Sequence, residues 1–218
     1  MTPHLSPPEP PKPRFRGRLH QLAFLLSIPA GIVLVALAGG ARARGAAAVF
    51  AICLTGLYGV SAAYHRGRWS ERARRVMKHL DHSMIFVFIA ASYTPVALLA
   101  LSAAGGTGLL VLAWAGAALG VLVTVLRLER WHRLGFALYI VLGWLAVVAL
   151  PRLVDALTGP QLALLVTGGL LYTVGAVTLA SRRPDPHPEV FGYHEVWHTF
   201  VVAASSCHFA LVLQLVRA

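Results

Sequence analysis

The chain has 218 residues, of which 57% are hydrophobic and only 12% are charged, and its mean hydropathy is +0.69. Soluble domains carry about a quarter charged residues, so this composition excludes a water-soluble globular protein. The formal net charge is +11, but the basic residues fall between apolar runs without interleaved exposed aromatics, and no nucleic-acid partner is expected.

The N-terminal segment is rich in proline and poor in residues that could pack. Six of the first thirteen residues are proline, a composition typical of disordered tails. We therefore assign residues 1–17 to a disordered, Pro-rich cytoplasmic tail and residues 18–218 to a transmembrane domain.

Seven apolar runs follow the tail. Each is close to the ~20 residues that a helix needs to cross the hydrocarbon layer, although the fifth is short. A backbone in lipid must satisfy its own hydrogen bonds, and the runs lack the alternation of a barrel strand. The sequence therefore predicts an all-α integral membrane protein, a seven-transmembrane helix bundle. The runs are residues 19–37, 46–64, 82–104, 107–126, 134–150, 161–179 and 193–215.

The distribution of Lys and Arg predicts the orientation, because cytoplasmic loops retain the excess of these residues. With the N-terminus inside, fifteen of the nineteen basic residues lie on the cytoplasmic side. Only Arg42, Arg44, Arg152 and Arg217 lie outside. We therefore expect a cytoplasmic N-terminus, seven crossings and a C-terminus outside.

Polar residues gather at the predicted cytoplasmic ends of helices two, three and seven. Ser61 and His65 lie one turn apart near the end of helix two, and Asp81 begins helix three. His194 and His198 begin helix seven with a spacing of four, which puts both rings on one face. The predicted topology brings all five residues to one depth on one side of the membrane.

Three of these residues have the chemistry of a zinc site. Neutral imidazoles suit zinc, and three protein ligands with one open position are the pattern of a catalytic site. We therefore predict that His65, His194 and His198 are metal ligands. Asp81 is the candidate to orient or deprotonate a water, and Ser61 to hydrogen-bond a ligand, the water or a developing oxyanion.

Simpler interpretations exist for the same residues. Asp81 alone is compatible with a helix N-cap or with a partner of the Arg-rich loop, and Ser61 with a small packing residue between helices. His208 lies deeper in helix seven and is interpreted as an interhelical hydrogen-bonding residue. The remaining membrane-end histidines are interpreted as isolated interfacial residues: His20, His79, His82 and His132.

The segment from His194 to His198 also fits H-E-x-x-H, in which two His bind zinc and the Glu is the general base of a metalloprotease. Intramembrane proteases with this motif take a third ligand from an acidic residue on a later helix. No helix follows here, so only a reordered version of that family would fit.

The wider pattern resembles the hemolysin III group of the progestin and adipoQ receptor (PAQR) family. It consists of Ser61-x-x-x-His65, Leu80-Asp81-His82 leading into residues 89–95, and His194-Glu-Val-Trp-His198 followed by residues 207–209. Motifs from three helices occur in the right order and spacing, and the resemblance covers all the chain after the tail. In two respects it departs from the family: Ala91 replaces a common Gly, and the acidic and Asn residues often found before helix one are absent.

The resemblance implies a zinc ion held by His65, His194 and His198, with Asp81 in contact through water and Ser61 nearby. It also implies seven helices with a cytoplasmic N-terminus, and a multi-pass protein of the bacterial inner membrane. Related ceramidases and receptors imply zinc-dependent hydrolysis of a lipid amide or ester, with membrane lipids as partners. The alternative is a non-enzymatic membrane sensor or regulator in which zinc is structural.

The charge distribution predicts that reporter domains fused after Ala218 behave as exported. A periplasm-dependent reporter such as alkaline phosphatase should be active there, and a cytoplasm-dependent one should be inactive. The same reporters fused within the loop around Arg72 should give the opposite result. A C-terminal fusion active only in the cytoplasm would mean an even number of crossings.

Overall fold

Nearly all of the chain that can be described is helical. The structure is a computed structural model that describes residues 13–126 and 132–218, with the backbone alone for residues 132–136. A short 3-10 turn, Leu145–Val147, lies between the fifth and sixth helices. The helices are α1 (Arg18–Ala36), α2 (Gly40–Arg66), α3 (Glu71–Leu99), α4 (Ala103–Val125), α5 (His132–Gly143), α6 (Leu150–Ala156), α7 (Gly159–Ser181) and α8 (Tyr193–Arg217).

Six of the described helices are long and apolar enough to cross a membrane: α1, α2, α3, α4, α7 and α8. A seventh span results if α5, the 3-10 turn and α6 are taken together as one crossing bent by 49°. The predicted all-α integral membrane fold is therefore confirmed. The fifth crossing extends to Ala156 rather than ending near residue 150, and the side on which each terminus lies stays a prediction.

The break in the fifth crossing is compensated by Tyr93 of α3. Its hydroxyl donates to the Gly143 carbonyl (2.7 Å) and accepts from the Ala146 N–H (3.0 Å). Pro151 opens α6 at a position where a helix needs no N–H donor. An interrupted helix is tolerated at membrane depth only where its freed backbone groups find partners, and Tyr93 supplies two of them.

Helix α8 packs on four other helices, α1, α2, α3 and α7. One buried cluster joins Leu34, Phe50, Phe88 and Val212 from α1, α2, α3 and α8. About half of the apolar window of α2 and of α3 is buried (50% and 56%), whereas α4 and α7 bury only 22%. The helices that carry the predicted site are therefore the inner ones, and the others face lipid more.

The segment before α1 is ordered by contacts with the loop before α8. Arg14 N donates to the Glu189 carbonyl (3.0 Å) and Phe15 N to the Val190 carbonyl (3.1 Å). Gly17 has a φ of 75°, and a Cβ there would lie 2.7 Å from the His65 Cβ. Residues 13–17 were predicted to belong to the disordered tail, and this part of the assignment is corrected; residues 1–12 lie outside the described residues.

A close approach of α3 and α4 yields a matched pair of variants. A Cβ at Gly106 would lie 2.1 Å from the Ala97 carbonyl oxygen, whereas at Gly108 it would meet nothing within 4 Å. Gly106→Ala should lower stability by about 1–3 kcal/mol, because two backbones must separate. Gly108→Ala should leave the melting temperature in detergent equal or higher, since Ala favours a helix. Equal melting temperatures for the two variants would contradict this packing.

Candidate metal centre

The histidines come from the facing ends of two inner helices. His65 is the second-last residue of α2, and His194 and His198 lie in the first two turns of α8. The start of α8 is fixed by side chains on both sides of it. The Asp185 carboxylate accepts from the Tyr193 N–H (2.8 Å), and the Glu195 carboxylate accepts from the Gly192 N–H (2.9 Å). These caps hold the helix end that presents the imidazoles.

The ligand atoms of His65, His194 and His198 all lie within 4.8 Å of one another. The Nε2 atoms of His65 and His194 are 3.2 Å apart. Two nitrogens bound to one tetrahedral zinc at the usual Zn–N distance would be about 3.3 Å apart. The donor set and the spacing of this pair therefore fit a zinc ion, and three protein ligands leave one coordination position over.

Asp81 lies beside this triad. Its Oδ2 atom is 3.9 Å from the His65 Nε2. Ser61, which is buried, lies close to the same carboxylate. Because α3 begins at Glu71 with Ser70 as its N-cap, Asp81 lies ten residues inside the helix. Asp81 therefore does not begin the helix as predicted, and the N-cap interpretation is wrong.

His20 was interpreted as an isolated interfacial residue, and the structure corrects this. Its side chain is buried, with only 3% of its surface exposed, and its ring stacks on that of His198. The two ring centroids are 3.8 Å apart and the planes are nearly parallel, at 6°. His20 therefore packs directly against a candidate ligand. Its position in the third residue of an apolar helix gave no signal, since the contact joins residues far apart in the chain.

Glu195 is buried and bound by groups other than the three histidines, which the H-E-x-x-H motif did not predict. The side chain is 2% exposed, and its Oε1 accepts a hydrogen bond from the Arg16 Nε. Its Oε2 accepts from the Gly192 N–H at the start of the helix. Both carboxylate oxygens are thus engaged away from the three histidines. This arrangement argues against Glu195 as the general base of an H-E-x-x-H protease.

The other histidines differ in position. His82 is half-buried, its Nδ1 lies 2.8 Å from the Lys78 carbonyl oxygen and 3.9 Å from the Asp81 Oδ2, and it is therefore not the isolated residue that was predicted. His79 is half-buried, and the side chain of His132 lies outside the described residues. His208 is deep in α8 and packs on the Tyr172 ring, with centroids 5.6 Å apart, and on Gly168. It packs against α7, but neither ring nitrogen has a hydrogen-bond partner among the described residues, so the predicted interhelical hydrogen bond is not found.

Two cavities flank the triad. The first has a volume of about 250 Å³ and opens at the histidine end of the bundle, where Tyr64, His65, Asp81 and His194 contribute to its wall. The second has a volume of about 380 Å³ and lies among α3, α5, α7 and α8, with an almost wholly apolar lining. Leu57, Ile85 and Val201 of this lining are one turn from Ser61, Asp81 and His198, so the apolar cavity begins one helical turn beyond the site.

Comparison with known proteins agrees with this architecture. The family model described as haemolysin-III related matches residues 9–209. The "Hemolysin-3 homolog" of Bacillus subtilis (strain 168) is 32% identical over 197 residues, which cover 89% of each chain. "Hemolysin-3" of Bacillus cereus is 34% identical, over 89% of this chain and 87% of the relative. The human "Monocyte to macrophage differentiation factor" is 26% identical over 74% of this chain and 66% of the relative.

The chain belongs to the haemolysin III-related family. The resemblance inferred from the motifs of three helices is thereby confirmed, and so is a multi-pass protein of the bacterial cell membrane.

The contact between Arg16 and Glu195 predicts an asymmetric set of variants. Arg16→Gln should lower stability by about 2–3 kcal/mol, since it leaves a buried carboxylate without its charged partner. The expected loss of stability is smaller than for a fully buried ion pair because the Arg16 side chain is 21% exposed. Arg14→Gln, an equal charge change at an exposed neighbour, should melt like the wild type. Adding Glu195→Gln to Arg16→Gln should restore part of the loss, and an unchanged melting temperature in Arg16→Gln would refute the assignment.

Proposed function

We propose that this haemolysin III-related membrane protein is a zinc-dependent hydrolase that cleaves an amide or ester bond of a membrane lipid. The observation that carries the proposal is the convergence of three imidazoles and one carboxylate at the end of an apolar cavity. The ligands proposed are His65, His194 and His198. All three are neutral donors from a rigid part of the bundle, and three protein ligands leave a position open for chemistry.

A zinc ion held by these residues supplies a Lewis acid that polarises a carbonyl and acidifies water. Asp81 is proposed as the general base. Its Oδ2 is 3.9 Å from the His65 Nε2. This distance is longer than the separation of about 3.3 Å expected between two ligand atoms of one tetrahedral zinc ion, and it favours contact between Asp81 and the metal through a water molecule. From that position the carboxylate can accept a proton from the attacking water.

Ser61 is proposed to hold the Asp81 carboxylate. Its side chain is buried close to that group, and a hydrogen bond from the hydroxyl would restrict the carboxylate to one orientation. His20 supports the ligand set from the other side, because its ring stacks on His198 and limits the rotation of that imidazole.

The substrate class follows from the apolar cavity. Its lining includes Leu57, Ile85, Phe88, Trp197 and Val201, and the cavity begins one helical turn from the proposed catalytic residues. A hydrocarbon chain gains free energy by occupying such a lining. Its polar end would then reach the histidines. A lipid with a cleavable carbonyl near its headgroup fits this geometry.

The wild type and two variants test the proposal, with metal content, melting temperature and hydrolysis measured on the same preparation of each protein. Wild-type protein purified without chelator should contain one zinc per chain. His198→Ala should lower metal content and melting temperature together, because a link between α2 and α8 is lost. Asp81→Asn should keep zinc and melting temperature while hydrolysis of ceramide-like or phospholipid substrates falls by about 10²- to 10⁴-fold, the range typical of a lost general base.

Several outcomes would contradict the proposal. Absence of a stoichiometric transition metal, even after zinc addition, would remove the metal centre. Full zinc occupancy with unchanged hydrolysis in Asp81→Asn would refute the general-base role. Zinc bound by wild type without hydrolysis of any of these lipids would favour a membrane sensor or regulator, in which the ion only ties α2 to α8.

A further inference from the structure

The cavity at the histidine end of the bundle is lined by an excess of positive charge. Among the residues that the structure describes, its charged lining residues are Arg16, Arg74, Lys78 and Asp81. Three permanent cations thus face one carboxylate in a space of about 250 Å³. The proposed hydrolysis uses Asp81, His65 and His194 of this lining, but it gives no part in ligand binding to the three cations or to His82, which also lines the cavity.

Two of these cations are selected from the Arg-rich segment by their position on α3. Arg74, Lys78 and Asp81 follow one another at spacings of four and three, so they share one face of the helix. Arg72 and Arg75 belong to the same segment but do not line the cavity. Basic residues on any face of the segment would satisfy the positive-inside rule. Placing Arg74 and Lys78 on the same face as Asp81 is therefore an additional feature, which puts positive charge at the cavity.

The third cation is fixed in place from behind. Arg16 lines the cavity, and its Nε binds the buried Glu195. Glu195 itself does not line the cavity. A planar guanidinium held through one nitrogen keeps its other N–H donors in a fixed direction, an arrangement suited to phosphate or carboxylate oxygens.

We propose that this cavity binds the phosphate group of an anionic membrane lipid, with Lys78, Arg16 and Arg74 as its cationic contacts. About 250 Å³ is below the range of most small-molecule sites, so it accommodates a headgroup and leaves the hydrocarbon chains outside. The apolar cavity beyond the triad is the place for such chains. Binding of this lipid requires no turnover, so it does not depend on the proposed hydrolysis. Only the further step, that the bound lipid is the substrate, rests on the proposed function.

Binding of three matched probes to zinc-loaded full-length protein in non-ionic detergent tests this inference. The probes are dioctanoyl phosphatidic acid, dioctanoylglycerol, which has the same chains without phosphate, and inorganic phosphate. Phosphatidic acid should bind at least 10-fold more tightly than the other two, and inorganic phosphate should compete with it. Dissociation constants are measured at one fixed ionic strength, because surface charge effects depend on salt.

Lys78→Gln should weaken the binding of phosphatidic acid by about 3- to 10-fold. This loss of affinity lies between that expected on removing an exposed ion pair and that expected on removing a hydrogen bond to a charged group. Arg75→Gln is the matched control. It removes the same charge from the same helix but does not line the cavity, so the affinity should stay unchanged. Both variants should melt like the wild type.

Equal losses in Lys78→Gln and Arg75→Gln would overturn the inference, since they would indicate a general surface charge. Equal binding of the two lipids would overturn it as well, and inorganic phosphate binding as tightly as phosphatidic acid would refute the lipid source. Asp81→Asn separates this site from the proposed hydrolysis. It should bind phosphatidic acid at least as tightly as the wild type because a negative charge is removed, whereas weaker binding would contradict the arrangement.

Discussion

A polar group inside the hydrocarbon layer has no water to bond, and two groups that matter most for this bundle are satisfied by partners from another part of the chain. Glu195 is the clearest case, because its buried carboxylate is held by Arg16 of the N-terminal segment and by the Gly192 N–H. Tyr93 serves the same purpose where the fifth crossing is interrupted. These contacts determine where polar side chains can be buried in the bundle without loss of stability.

The contacts of α8 with four other helices decide where the site forms. The helix touches α1, α2, α3 and α7, so residues at its start can meet residues from several helices at once. His65 approaches from α2, Asp81 from α3 and His20 from α1. The site thus lies where the apolar interior ends and the basic end of the bundle begins. A water-accessible cavity lies on one side of it and an apolar cavity on the other.

The pentapeptide from His194 to His198 illustrates how one motif can support two chemistries. In a zinc protease the Glu of this motif, Glu195 here, would have to face the metal. Here it closes the first turn of α8 and binds Arg16, while the carboxylate near the histidines comes from Asp81 of another helix. The spacing of the two histidines is the same in both cases, because it follows from the helical period alone.

The sequence by itself determined the membrane class, the presence of six membrane-length helices and the three histidines that meet. These features depend on composition and on local spacing, which the chain carries directly: apolar runs of sufficient length, and histidines four residues apart. The break in the fifth crossing, the true start of α3 and the order of residues 13–17 were decided only in three dimensions. Each depends on partners distant in the chain, such as Tyr93 for Gly143 or Glu189 for Arg14.

The same distinction applies within the site. His65, His194 and His198 could be selected from the sequence because their placement at helix ends follows from topology and helical period. His20 and the pairing of Arg16 with Glu195 could not, because neither has a local pattern and both arise when α1 packs across the start of α8. Tertiary structure alone also decided which of several basic residues on α3 face the cavity. The exact phase of a helix against its neighbours is set by side-chain packing and not by composition.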